Sequence, residues 1–575
     1  MNLRRNMLIP AAALVLLVSS CNYLDVSDQL AGGLQNTDEV FENVSYTKRW
    51  YASIFTGIPD YSGLNSTNVN GFKNPWASIC DELVTGYGNA SKYNNSDKNA
   101  TNVSFHRYGD CYKAIRQANI FLQKAHVITA GGTQGDELLE PELKRYQANA
   151  RFMRAFYHYL LFEQYGPIII VGDKVYEATE SQDMSRNSVD EVVEYLDKEL
   201  LASADELSQE PIIDENYRAE PTKGVALAVR AKMWVYAASP LLNGGFNEAL
   251  NIANPDGKKL FPIADAAKWE RARQACADFI NYANENNRYE LYYAAPEKNG
   301  VVNPEKSVYE LFQKYTKEII WATATADWGG LDGDAFDRRI VPRTEQNGLG
   351  STGVTQELVD AFYMNDGLPI RGTTYLPASP QYTEEGMSTY TETNVDPIKG
   401  GKEYTPVNVS NRFINREARF YNTVFFNGRQ WPVTCNTIQF YNGGNAGQQN
   451  GQYTQTGYML FKRFNRRISK TSPGVSSRYR PSIIFRLADF YLLYAEAANE
   501  VNPNDPVVLE YLNKVRHRAG LTTKIEELNP VIKGNKELQR AAIQRERQVE
   551  LATEGQRYFD VRRWMIADKN GEGRQ

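Results

Sequence analysis

Three aspartates, Asp332, Asp334 and Asp337, crowd the glycine turn GGLDGDAFD at 329–337. Closely spaced carboxylates offer the hard oxygen donors that suit calcium. The EF-hand spacing and its closing glutamate are missing, so the turn reads first as solvated acidic surface and only weakly as a calcium site. A second chemistry lies in aromatic residues stranded in polar loops with no helical period, namely Trp76, Tyr87, Tyr93 and Trp328. A flat ring packs on the C–H face of a sugar, while nearby amides, carboxylates and guanidiniums fork onto its hydroxyls. Asn74, Asp81, Asn89 and Arg338 are near enough in sequence to do this. The candidate ligand-binding set is therefore Asn74, Trp76, Asp81, Tyr87, Asn89, Trp328 and Arg338. The competing reading is that Trp76 and Trp328 pin long loops to the body, and for either ring alone pinning is favoured.

A third chemistry is acylation of a thiol. Arg4 and Arg5 precede the apolar run MLIPAAALVLLV (7–18), which is too short to span a bilayer and leads into Val18-Ser19-Ser20-Cys21. That is the pattern of a signal peptide ending in a lipoprotein box, with Cys21 as the lipidated first residue of the mature chain. No second apolar run reaches spanning length, so membrane contact is expected through the lipid alone.

Other chemistries are poorly supported. No HExxH, GxSxG or GxxxxGK[ST] pattern occurs, and the four histidines are His106, His126, His158 and His517. Gly348-x-Gly350-x-x-Gly353 matches a dinucleotide fingerprint, but no buried strand precedes it and it reads as a loop. A carboxylate pair for glycoside hydrolysis is uninformative among 69 acidic residues. The 64 basic residues give a net charge of −5 and form no basic stripe, which disfavours a nucleic-acid partner. Cys80, Cys111, Cys276 and Cys435 form no CxxC motif and leave three possible disulfide pairings. Cys276, on an apolar helical stripe, reads as a buried free thiol.

The elements that must position these residues are mainly helices. Ser188-x-x-Glu191 is a capping box opening a stripe of Val189, Val192, Val193, Leu196, Leu200 and Leu207. Further helical periodicity is expected at about 112–126, 141–165, 224–238, 267–284, 486–500, 506–518 and 536–554. Successive amphipathic helices with short breaks predict antiparallel helix pairs stacked on one another. Three long stretches with little periodicity, about 57–104, 321–353 and 371–481, are the expected ligand-binding loops, and runs such as RFYNTVFF read as strands.

SIIFRLADFYLLYAEAANEV (482–501), YLNKVRHRAGL (511–521) and IQRERQVELATEGQRYFDVRRW (543–564) resemble, in order and spacing, the ending of the SusD/RagB family of surface nutrient-binding lipoproteins. TQELVDAFYMNDGLPI (355–370), NREARFYNTVFFNGRQW (415–431) and CNYLDV at Cys21 resemble it too. Physically, Arg486, Glu496, Arg516 and Glu550 in these blocks read as a polar lattice between stacked helices, and Gly555 as the C′ residue ending the last long one. The resemblance implies a mainly α fold, a tetratricopeptide-like α-α superhelix carrying a long, irregular, partly β ligand-binding region. It also implies a non-catalytic role, delivering an oligosaccharide, or in some members a peptide, to a partner SusC-like TonB-dependent transporter. The expected organisation is signal peptide 1–20, lipid anchor and tether 21–40, N-terminal helical region with binding loops 41–320, and SusD/RagB-type C-terminal region 321–575, lipid-anchored in the outer membrane and facing the cell exterior. A surface glycoside hydrolase is the alternative from another class.

Overall fold

The structure, a computed structural model, describes residues 36–568 apart from 62–73, 86–104, 130–136, 178–179, 181–183, 324–327, 329, 333–334, 346 and 449–451. Cys21, Tyr87, Asn89, Tyr93 and Asp334 lie outside the described residues.

Nine helices form the frame: α1 Tyr108–Lys124, α2 Glu140–Tyr165, α3 Val189–Glu206, α4 Lys223–Ala238, α5 Ala267–Asn284, α6 Leu487–Val501, α7 Val507–Arg518, α8 Lys536–Glu550 and α9 Gln556–Arg563. The expected capping box is present at α3, where Ser188 accepts from the Glu191 N–H and Glu191 accepts from the Ser188 N–H. It satisfies two of the donors that a helix start leaves unpaired. The stripe behind it, Val192, Val193, Leu196 and Leu200, is fully buried. From α1 to α6 each helix packs on the one before it, and α7 and α8 both pack on α6. This is the expected superhelix of helix pairs. Its contacts are aromatic as well as aliphatic: Phe279 of α5 meets Phe490 of α6 at 4.7 Å between ring centroids. Each such side chain contributes about 1.5–3 kcal/mol on leaving water.

Among the described residues eight short strands, β1 Leu83–Thr85, β2 Ile319–Thr323, β3 Thr352–Val354, β4 Met387–Tyr390, β5 Val407–Ser410, β6 Val424–Phe426, β7 Tyr458–Leu460 and β8 Ser482–Arg486, form four antiparallel pairs, β1–β3, β2–β8, β4–β5 and β6–β7. Two of these pairs tie distant segments: β1 reaches β3, and β2 reaches β8 just before α6. One hydrophobic core runs through the N- and C-terminal parts alike.

Two local expectations are corrected. RFYNTVFF is not all strand: Ala418–Thr423 is helical and only Val424–Phe426 extends. The last long helix stops at Glu550, and Gly555 does not end it but caps the start of α9 with φ +84°. A Cβ there would sit 2.7 Å from Asn74 Oδ1, so glycine is required for both conformation and space. Cys276 is a buried free thiol as expected, and Cys80, Cys111 and Cys435 are also unpaired.

Candidate functional site

Among the residues expected to touch ligand, Asn74, Trp76 and Asp81 are interior. Trp76 is 1% exposed. Its ring lies 4.9 Å from Tyr558 and 5.0 Å from Phe559, with the Arg107 guanidinium 4.9 Å from its centroid. Asn74 donates Nδ2–H to the Thr553 carbonyl at 3.2 Å. Asp81 receives Nε–H and an Nη–H of Arg557 at 3.0 and 2.7 Å. These three residues lock the segment before β1 onto the turn between α8 and α9. The structure places all three in the interior rather than on an open sugar platform: the Asp81 carboxylate is engaged by Arg557 and the Trp76 ring by Tyr558, Phe559 and Arg107. Asn74 Oδ1 and the Trp76 indole N–H have no hydrogen-bond partner among the described residues.

Trp328 is likewise a pin, at 4% exposure. Its indole N–H donates to the Arg480 carbonyl at 3.0 Å, and its ring lies 4.8 Å from both Phe336 and the Arg480 guanidinium. Arg480 in turn pairs with the buried Asp337 at 2.5 Å. Asp332 pairs with Lys470 at 2.7 Å. Asp337 and Asp332 are each paired with a cationic side chain, and Asp334, the third member of the weak calcium reading, lies outside the described residues. Among the described residues no group of three or more His, Cys, Asp or Glu side chains is placed to hold a metal. Arg338 is half-buried and donates Nε–H to the Asn347 carbonyl at 2.8 Å.

The polar lattice expected from the C-terminal blocks is present. Arg486 bridges Glu318 and Glu550, Arg518 bridges the same two carboxylates, and Arg419 reaches Glu550 and Glu546. Arg516 pairs with Glu546, and Arg563 with Glu496. Burial opposes ionisation of Glu550, but Arg518, Arg486 and Arg419 outweigh it and hold the carboxyl well below its ordinary range. A carboxylate held this way makes a poor general acid, and its work is to join β2, β8 and the last helices. Removing one partner of such a buried pair costs about 3–5 kcal/mol.

What these pins position is a surface of tyrosines and arginines. Antiparallel pairing of Thr323 with Ser482 sets the end of β2 beside the start of β8, and Tyr315 reaches that end, its hydroxyl donating to the Thr323 carbonyl at 3.3 Å. Tyr315 and Tyr479 meet there, their hydroxyls 3.4 Å apart. Trp321 fastens the neighbouring loop by donating its indole N–H to the Ala219 carbonyl at 2.9 Å. That loop presents Arg218, whose guanidinium lies 4.2 Å from the Tyr315 centroid, and Tyr217, on which Arg145 stacks at 4.4 Å. Tyr479 is 45% exposed and Tyr217 41%. Burial and the hydrogen bond with Tyr479 push the Tyr315 hydroxyl above its ordinary range, so it stays a neutral donor and acceptor. Exposed rings beside guanidinium forks suit a polyhydroxylated ligand with an apolar C–H face. Sequence reasoning, which picked Trp76, Tyr87, Tyr93 and Trp328 as the rings in polar loops, missed these residues. The available signal was the Tyr-Arg dipeptide before a proline in both NYRAEP and RYRPS.

Residues 317–574 match the model of the SusD family, and residues 52–235 match a SusD-like family described as starch-binding associating with outer membrane. The chain belongs to the SusD/RagB family. SusD-like protein P25 of Formosa agariphila is 44% identical over 84 residues, a stretch covering 15% of each chain. Two solved structures share the SusD-type fold over nearly the whole length. BT4246 superposes with a TM-score of 0.70 at 24% identity, covering 92% of this chain and 90% of that one. Surface glycan-binding protein A of Bacteroides uniformis gives 0.52 at 16%, covering 91% and 89%. Within this SusD-family chain the residues recognised from the C-terminal blocks are the lattice, and the tyrosine face lies beyond them in segments that the blocks do not include.

Proposed function

We infer that this SusD-family chain binds an oligosaccharide on the face built by Tyr217, Arg218, Tyr315 and Tyr479, leaves it covalently unchanged, and passes it to a SusC-like TonB-dependent transporter. In this reading a lipid on Cys21 tethers the chain to the outer membrane with the face toward the cell exterior. The outer-membrane association in the description of the matching family model and the glycan named for the Bacteroides uniformis protein support it. So does the fact that, among the described residues, no single helix is long and apolar enough to cross a membrane. Tyr87, Asn89 and Arg338 are further proposed ligand contacts. The observation that carries the reading is the Arg218–Tyr315–Tyr479 cluster, held from beneath by Trp321 and Trp328. Calorimetric titration of the mature chain against neutral glycans and oligopeptides tests it, with Tyr315→Ala and Tyr479→Ala alongside. Heat with a glycan is expected, with affinity for the tightest-binding glycan falling at least tenfold in both variants. Heat only with peptides would redirect the reading to an oligopeptide carrier, and shortened glycan on chromatography would make the protein a hydrolase.

A further inference from the structure

Away from the tyrosine face, a cleft of about 680 Å³ opens between the end of α4, the start of α5, and helices α6 and α8. That lies within the range of about 300–1,000 Å³ typical of small-ligand sites. One wall is a turn at Gly244, with φ +77°, where a Cβ would fall 2.3 Å from the Ala264 nitrogen. Only glycine lets the two backbones meet there and leave the space open.

Two tryptophans line the cleft. Trp564 is fixed by donating its indole N–H to Glu496 at 2.7 Å. Trp269, in the first turn of α5, is half-buried. Among the described residues its indole N–H has no hydrogen-bond partner and its ring no stacking one. Gln544 of α8 lines the cleft with its amide likewise uncommitted. The charges are mostly matched internally: Glu496 with Arg563, Glu500 with Arg540 and Lys536, and Glu537 with Arg540. Only Asp265 adds a carboxylate without a cationic partner.

This lining selects a ligand class by elimination. An anion would meet four carboxylates and one guanidinium in the wall, all carboxylates but Asp265 already neutralised. A hydrocarbon would strip water from Gln544, Asp265 and the Trp269 N–H and return no hydrogen bond. A neutral ligand with an apolar face and a rim of hydroxyls satisfies both the rings and the free donors and acceptors. We propose that the cleft is a second saccharide site, which takes a short neutral oligosaccharide with one ring on Trp269 and its hydroxyls on Gln544 and Asp265. The cleft and the tyrosine face share no residue, so the two readings fail separately.

The test is saturation-transfer NMR on the mature chain with maltose, cellobiose, xylobiose, lactose and a glucuronic-acid-bearing disaccharide as probes. It is run in the wild type, in Trp269→Ala, in Gln544→Ala and in the Tyr315→Ala/Tyr479→Ala double variant. The expected result is binding of at least one neutral disaccharide that persists in the tyrosine double variant, weakens tenfold or more in Trp269→Ala and weakens at least threefold in Gln544→Ala. The acidic disaccharide should bind more weakly than the neutral ones. Gln544 is partly exposed and contributes no internal hydrogen bond, so its variant reads the site even if Trp269→Ala proves unstable. No response to any neutral probe, binding indifferent to both cleft variants, or tighter binding of the acidic probe would overturn the proposal.

Discussion

Trp328 distinguishes a ring that touches ligand from one that holds up the residues that do. Trp328→Phe keeps an aromatic ring against Phe336 and Arg480 but deletes the indole N–H that donates to the Arg480 carbonyl at 3.0 Å. A buried carbonyl left without its donor costs about 1–3 kcal/mol. Trp328→Ala removes the ring as well and should cost about 3–5 kcal/mol, the range for buried aromatic truncation. Because Arg480 is the residue after Tyr479, loosening its carbonyl reaches the tyrosine face through the backbone. Denaturant unfolding should therefore register the full cost of Trp328→Phe, while calorimetric glycan affinity falls less than about threefold, under 0.7 kcal/mol. Trp328→Ala should lose affinity only together with stability. A Trp328→Phe variant of unchanged stability that binds glycan ten times more weakly would refute the positioning role and return the ring to the ligand.

His158 is neutral in the fold, with Nδ1–H donating to the Arg154 carbonyl at 2.8 Å and Nε2 accepting from the Val171 N–H. Burial lowers its pKa from 6.5 to about 4, so its stabilising contribution is complete above pH 6.5 and is lost as pH falls toward 4, at most about 3 kcal/mol. Thermal melts should show that acid-side slope flattened in His158→Gln. Glu82 behaves oppositely: burial raises it to about 8 from 4.5, so stability falls as pH rises from 4.5 through 8. Glu82→Gln, which keeps an acceptor for the Thr553 N–H, should melt with a smaller loss between pH 6 and pH 8.5 than the wild type. Asp81→Asn removes the carboxylate charge that faces the buried Arg557 and should cost about 3–5 kcal/mol in denaturant unfolding. Cys21→Ser should leave fold and glycan affinity intact but abolish growth of the producing cells on the cognate glycan; normal growth would remove the tether from the mechanism.

The frame was legible because helices announce themselves locally. The Ser188–Glu191 box and the apolar stripe of α3 lie within a few turns of one another, and the structure places them as read; the charges of IQRERQVE instead pair with distant segments, Glu546 with Arg419 and Glu550 with Arg486. The candidate site was not legible in the same way. Trp76 and Trp328 sit in polar stretches, where sequence favours pinning for each ring alone but does not exclude a ring that meets ligand. A long loop needs a few large side chains to fix it, and an indole N–H that finds a main-chain carbonyl does so well. The tyrosine face unites residues 217, 315 and 479, which become neighbours through the β2–β8 pairing, the reach of Tyr315 to the Thr323 carbonyl and the bond of Trp321 to the Ala219 carbonyl. No local period records a pairing of that range. The run RFYNTVFF was half misread for a related reason, since β-branched and aromatic content does not separate a buried short helix from a strand.

The central claim is that the exposed tyrosine–arginine face holds the glycan. A crystal structure of the mature chain with the tightest-binding neutral oligosaccharide from the calorimetric panel tests it most directly. The account expects a sugar ring packed against Tyr479 or Tyr217, with hydroxyls on Arg218 and Tyr315. Well-defined sugar elsewhere with these four side chains bare would contradict it.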